Sequence, residues 1–171
     1  MNFYITSGTI DYLTKLKNKH PGENMLLLTE SEDEFSAVIL HETSSNTLFN
    51  HPRKYEVIDS LGSFEKATFV VMNNIPVTDE GKPLFEYQFT NRQRKIEHQP
   101  GFVAIRVLRP QSSNTYVILT LWENKQAFVN WKSSDSFLKA HKKNEGSSGA
   151  KSAAIFAGPS YLTTYSIAQE E

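Results

Sequence analysis

The chain has 171 residues, 39% hydrophobic and 12% aromatic, enough apolar side chain for one full core or two small ones. Eighteen basic against nineteen acidic residues leave a formal net charge of -1, which excludes the electrostatic footprint of a nucleic-acid or anionic-membrane binder. Cysteine is absent, so disulfides, thiolate nucleophiles, thiolate metal ligation and iron-sulfur clusters are excluded together. The start MNFYITSGTID lacks a basic region followed by a long apolar core, and the longest apolar runs (MLLL, AVIL, FVVM) fall far short of the ~20 residues of a membrane helix. A cytoplasmic protein is expected.

In chain order, FYIT reads as a strand, followed by a helix over about Asp11 to Lys19 with Thr9 as N-cap and His20, Pro21 and Gly22 as its stop. MLLLTE and FSAVILHE read as strands, and YEVIDSLG as a short helix closed by Gly62 in a left-handed cap. A boundary between Ser63 and Ala67 divides the chain into an N-terminal half, residues 1–65, and a C-terminal domain, residues 66–171. The second part is more regular: strand ATFVVMNNIPV, turn TDEGKP, a helix over about Leu84 to His98, and the stop QPGF. Strands VAIRVLRP and TYVILTLW follow, then helical segments NKQAFVNWK and SFLKAHKK, the loop NEGSSGAKSA, and a last strand SYLTTYSIA. This β-α-β-β-α-β order predicts an α+β, ferredoxin-like domain with both helices on one face of a four-stranded sheet. The first half, an abbreviated version of the same order, is expected to cover the open sheet face, because apolar residues on both faces cannot stay solvated.

Three residues could carry chemistry. Trp131 lies one helical turn after Phe128 on an apolar stripe, where it could be core or the flat wall of a cavity. His141 follows it by ten residues, about 80° away on an ideal helix. The run Ser133, Ser134, Asp135, Ser136 competes with the helical backbone and can reset the axis, so that both side chains reach one cavity. His141 reads either as a helix-end cation or as a proximal haem ligand. Asn74 interrupts an apolar strand and is costly there unless its amide is satisfied; it reads as a structural amide, a bulge, or a donor to iron-bound oxygen, with Asn73 as competitor. The remaining histidines, His20, His41, His51 and His98, form no metal-ligand spacing, and no phosphate loop, nucleophile elbow or dinucleotide fingerprint is present.

The blocks PLFEYQFTNRQRKIEHQPGFVAIRVLRP, TYVILTLWENKQAFVNWKSSDSFLKAHKK and GPSYLTTY resemble the Isd-type haem-degrading monooxygenases of the antibiotic biosynthesis monooxygenase superfamily, which have the dimeric α/β barrel fold. Over nearly its whole length the chain is similar to the longer, two-part (HmoB-like) members. The family's Asn, Trp and His set falls on Asn74, Trp131 and His141, the last two within WKSSDSFLKAH. Counting back seven residues from the turn glycine Gly81 selects Asn74 over Asn73.

The resemblance implies that haem is both substrate and cofactor, opened oxidatively with O2 and electrons from an external reductant or reductase, with release of iron. It implies His141 as the iron ligand, Asn74 as the distal amide and Trp131 as the wall that forces the porphyrin out of plane. Because compact members pair as homodimers through their sheets, the N-terminal half is expected to stand in for a second subunit, giving a monomer packed as an intrachain pseudo-dimer. Two other readings are a non-enzymatic regulatory or stress protein like the TRAP signalling proteins, and a cofactor-independent monooxygenase of the same superfamily. The intact Asn, Trp and His set favours the haem enzyme.

Overall fold

The computed structural model describes residues 1–33, 35–90, 95–134 and 155–168. Among the described residues are eight strands and three α-helices: β1 Asn2–Thr9, α1 Ile10–Asn18, β2 Met25–Glu30, β3 Ser36–Thr43, β4 Arg53–Leu61, β5 Phe69–Pro76, α2 Lys82–Thr90, β6 Phe102–Pro110, β7 Thr115–Trp122, α3 Lys125–Lys132 and β8 Tyr161–Ile167. A 3-10 turn over Ile96–His98 precedes β6.

Local chemistry accounts for most of these elements. Thr9 caps α1 by accepting from the Tyr12 amide at 3.3 Å, and Asn124 caps α3 by accepting from Ala127 N at 2.8 Å. Thr78 receives the amides of Gly81 and Lys82 at the start of α2. Of the helix expected over Leu84 to His98, α2 covers the part up to Thr90, residues 91–94 lie outside the described residues, and residues 96–98 form a 3-10 turn.

YEVIDSLG is not a helix. It belongs to β4, paired antiparallel with β1 on one side and with β6 on the other, with a bulge between Val57 and Asp59. Val57 and Ile58 are β-branched and disfavour helix, and two ladders of hydrogen bonds outweigh the local helical pattern. Gly62 does adopt a positive φ of +81°, but at the end of a strand, where a Cβ would come within 2.3 Å of the Val103 carbonyl oxygen.

The strands close into one barrel in the order β1-β3-β2-β8-β5-β7-β6-β4, with every neighbouring pair antiparallel. Strands β8-β5-β7-β6 keep the ferredoxin-like order expected of the C-terminal part. The expected architecture, two halves packed as an intrachain pseudo-dimer with the first covering a face of the second, is corrected by this topology. Ladders β2–β8 and β4–β6 join the two parts edge to edge into a single closed sheet. Unpaired edge strands expose rows of backbone donors and acceptors; closure satisfies them, and the inward side chains of both parts then form one core.

Pleating divides the side chains into layers. Phe3, Ile5, Leu28, Val38, Leu40, Val70, Met72, Leu108, Val117, Leu119 and Tyr165 fill the lumen. Outside, α1 covers β1, β3 and β2 over Leu13, Met25, Leu27 and Ile39, while α2 and α3 cover β5, β7 and β6 over a second cluster. His41 belongs to the first of these outer layers, buried with its Nε2 2.9 Å from Glu23. One end of the lumen holds a buried ion pair. Arg106 on β6 donates from Nε to Glu42 on β3 at 2.5 Å and from Nη2 at 3.3 Å; its remaining donors reach the Leu61, Gly62 and Ile105 carbonyls, and its guanidinium lies 5.1 Å from the Phe64 ring centroid.

Candidate functional site

The outer face of β5, β7 and β6 beneath α2 and α3 is the most aromatic layer of the described residues. On β5 its residues are the odd ones, Phe69, Val71 and Ile75, with Val77 just past the strand; on β7 they are Tyr116, Ile118 and Trp122. From the helices come Phe85 and Phe89 on α2 and Phe128 and Trp131 on α3. Rings meet at ordinary contact distances: Phe128 lies 6.1 Å from Phe69 and 5.8 Å from Trp122, and Phe85 lies 4.7 Å from Tyr116. Gly101, with φ +85°, leaves room for α3 there, because a Cβ would stand 2.4 Å from that of Ala127.

Trp131 sits half-buried at the edge of this layer. Its carbonyl accepts from the Ser134 amide at 3.0 Å and hydroxyl at 2.6 Å, so the serines do end α3, as the sequence predicts. His141 and the segment SFLKAHKK lie outside the described residues.

The two asparagines part company. Asn74 pairs with Val117 and faces the lumen; it is 3% exposed, and its Nδ2 lies 3.2 Å from the Tyr161 carbonyl, 3.2 Å from Thr163 Oγ1 and 3.3 Å from the Met72 carbonyl. Asn73 pairs with Ile118, so it stands on the outer face with Trp131's cluster and is only half-buried. Asn73 therefore stands on the sheet face against which the cluster of Trp131 packs, and Asn74 on the opposite face. The seven-residue spacing to Gly81 cannot see this, because neighbouring residues on a strand point to opposite faces.

A polar cluster that the sequence reading missed lies under α2. Glu86 accepts from Arg109 Nε at 3.1 Å on each oxygen, from Arg109 Nη2, and from the Tyr116 hydroxyl. Arg109 also donates to Glu56 on β4 at 3.1 Å. The bond from Arg109, ahead of the burial that opposes it and the bond from Tyr116, holds the Glu86 carboxyl below its ordinary range. Burial first, and Glu86 second, push the Tyr116 phenol upward, so it stays protonated. The available signal was Arg109 in VAIRVLRP, a cation in an apolar strand three residues after Arg106, which is an odd step in a pattern of period two and so puts the two arginines on opposite faces.

The described residues supply an apolar, ring-rich layer between the sheet and helices α2 and α3, with Trp131 half-buried at its edge and Asn73 half-buried on the same face of the sheet. Among the described residues no group of three His, Asp or Glu is placed to hold a bare metal ion, and no helix is long and apolar enough to cross a membrane.

Residues 68–143 match the family model described as antibiotic biosynthesis monooxygenase. The chain is 30% identical over 155 residues to the signal transduction protein TRAP of Staphylococcus aureus, covering 87% of this chain and 90% of that protein. It is 27% identical over 162 residues to a heme-degrading monooxygenase of Listeria monocytogenes, covering 92% and 95%. Among solved structures, a major regulator of staphylococcal pathogenesis superposes with a TM-score of 0.82 at 24% identity, over 99% of this chain and 100% of that one. The heme-degrading enzyme LmHde of L. monocytogenes superposes with a TM-score of 0.72 at 21% identity, over 98% and 100%. Residues 68–143 therefore belong to the antibiotic biosynthesis monooxygenase superfamily, within a chain similar over nearly its whole length both to the signal transduction protein TRAP and to a heme-degrading monooxygenase.

Proposed function

We propose that the protein is a haem-degrading monooxygenase that binds haem in the cleft between the outer face of β5, β7 and β6 and helices α2 and α3. The observation that supports it is the ring-rich apolar layer on the outer face of β5, β7 and β6, with Trp131 half-buried at its edge and Asn73 on the same face of the sheet. Similarity to a listerial heme-degrading monooxygenase over 92% of the chain supports the same reading.

His141 is assigned as the iron ligand, since it follows Trp131 within the same WKSSDSFLKAH stretch. Trp131 would stand against one face of a bound macrocycle. Asn73 takes the role of distal amide in place of Asn74, because it can donate from the cleft floor without acting as a strong acid. The aromatic walls exclude water and hold the ring against these three groups. Haem supplies the oxygen chemistry when bound, using O2 and electrons from an external reductant or reductase, and iron is released as the ring opens.

Titration with haemin, followed by ascorbate in air, tests the reading. A saturable Soret band at one haemin per chain that is lost after reductant is expected. His141→Ala weakens the band, whereas Asn73→Ala and Trp131→Phe keep it and slow its loss. No Soret band in the wild-type protein overturns the proposal. It would instead favour a non-enzymatic regulator, a reading with its own support in the 30% identity to a signal transduction protein.

A further inference from the structure

Helix α2 is short and mostly exposed along its outer side; Phe85 is its buried anchor, and Glu86 is its polar one. A carboxylate is suited to this seat in a way an amide is not. Both Glu86 oxygens accept: Oε1 from two Arg109 donors, Oε2 from Arg109 Nε and the Tyr116 hydroxyl. A glutamine would turn an N–H2 toward at least one of these donors.

The donors stand on the outer face of the sheet, beneath α2. Arg109 is on the outer face of β6, tied by Glu56 to β4. Tyr116 pairs with Ile75 on β5, one step along the same face from the Asn73–Ile118 pair, and its ring touches Phe85. One carboxylate therefore links α2 to β6, to β7 and, through Arg109, to β4, beside the floor position of Asn73.

We propose that Glu86 is the positioning residue of the cleft: by gathering Arg109 and Tyr116 it seats α2 over the sheet, and that seat sets how tightly the cleft grips a flat apolar ligand. The choice of ligand rests on the haem reading above; the seating of α2 does not.

The experiment compares wild type, Glu86→Gln and Tyr116→Phe by hydrogen exchange, haemin titration and steady-state turnover. In Glu86→Gln, amides of residues 84–90 exchange about tenfold faster while those of α1 keep their rates. The haemin Kd rises about tenfold, and the loss falls on KM rather than on kcat. Tyr116→Phe keeps the Arg109 bonds and shows a smaller change in the same direction. Unchanged α2 exchange, equal acceleration across the whole barrel, or faster α2 exchange with unchanged haemin affinity overturns the proposal. If the wild-type protein binds no haemin, the haem reading fails alone, and α2 exchange still decides whether Glu86 seats the helix.

Discussion

Asn73 and Asn74 are neighbours in sequence and lie on opposite sides of the sheet: Asn73 faces Ile118 in the outer layer, Asn74 faces Val117 in the lumen. The proposed function gives Asn73 a chemical role and leaves Asn74 a structural one. Asn73→Ala should retain haemin and lose turnover by about 10²-fold, the scale for removing one preorganised donor. Asn74→Ala should keep turnover at temperatures where it is folded and lose about 1–3 kcal/mol of stability, because Thr163 Oγ1 and two carbonyls lose their donor. Single-turnover decay of the Soret band and urea unfolding of both variants check this; the opposite pattern returns the role to Asn74.

Arg106 and Glu42 form the barrel's buried ion pair, with side chains 7% and 12% exposed. Arg106→Leu leaves a carboxylate without its partner and frees the Leu61 and Gly62 carbonyls of theirs, so a loss of about 3–5 kcal/mol is expected. The double variant Arg106→Met with Glu42→Leu should recover most of that loss, since a well-packed apolar pair carries no desolvation cost. Urea denaturation midpoints of the two proteins make the comparison.

Acid should weaken the seat of α2. The folded-state pKa of Glu86 lies below its ordinary value of 4.5, so its contribution is present above that value and is lost as pH falls through the folded one. Tyr116 runs the other way: its raised pKa makes its contribution complete below the ordinary phenol value of 10.0 and lost as pH climbs above it. Unfolding free energy measured against pH should therefore slope less steeply below pH ~4.5 in Glu86→Gln than in wild type. Identical acid slopes would falsify the linkage.

Trp122 was not singled out in the sequence, yet it is fully buried, with Phe102 and Phe128 edge-on and its Nε1 donating to Thr120 Oγ1 at 3.0 Å. Trp122→Ala should cost about 3–5 kcal/mol. Trp131→Ala should cost much less, because Trp131 is only half-buried. Thermal melts that rank the two the other way would make Trp131, not Trp122, the packing tryptophan.

What the sequence determined by itself is local. Runs such as MLLLTE, SAVILHE and TYVILTLW are strands because β-branched and large apolar residues suit a pleated, buried surface, and Thr9 starts α1 because its hydroxyl takes an orphan amide. The order β-α-β-β-α-β followed from those elements, and with it the layout of the C-terminal sheet. Three things needed the tertiary structure. YEVIDSLG became β4 because two ladders outbid a weak local preference. The two parts of the chain became one barrel because their edge strands satisfy each other, pairing Glu30 with Tyr165 and Glu56 with Arg109 across distances no local pattern reports. Which asparagine faces the cleft was decided by the pleat together with the side on which α2 and α3 pack. Sequence spacing carries the alternation of faces, but only the packing of distant helices says which face is which.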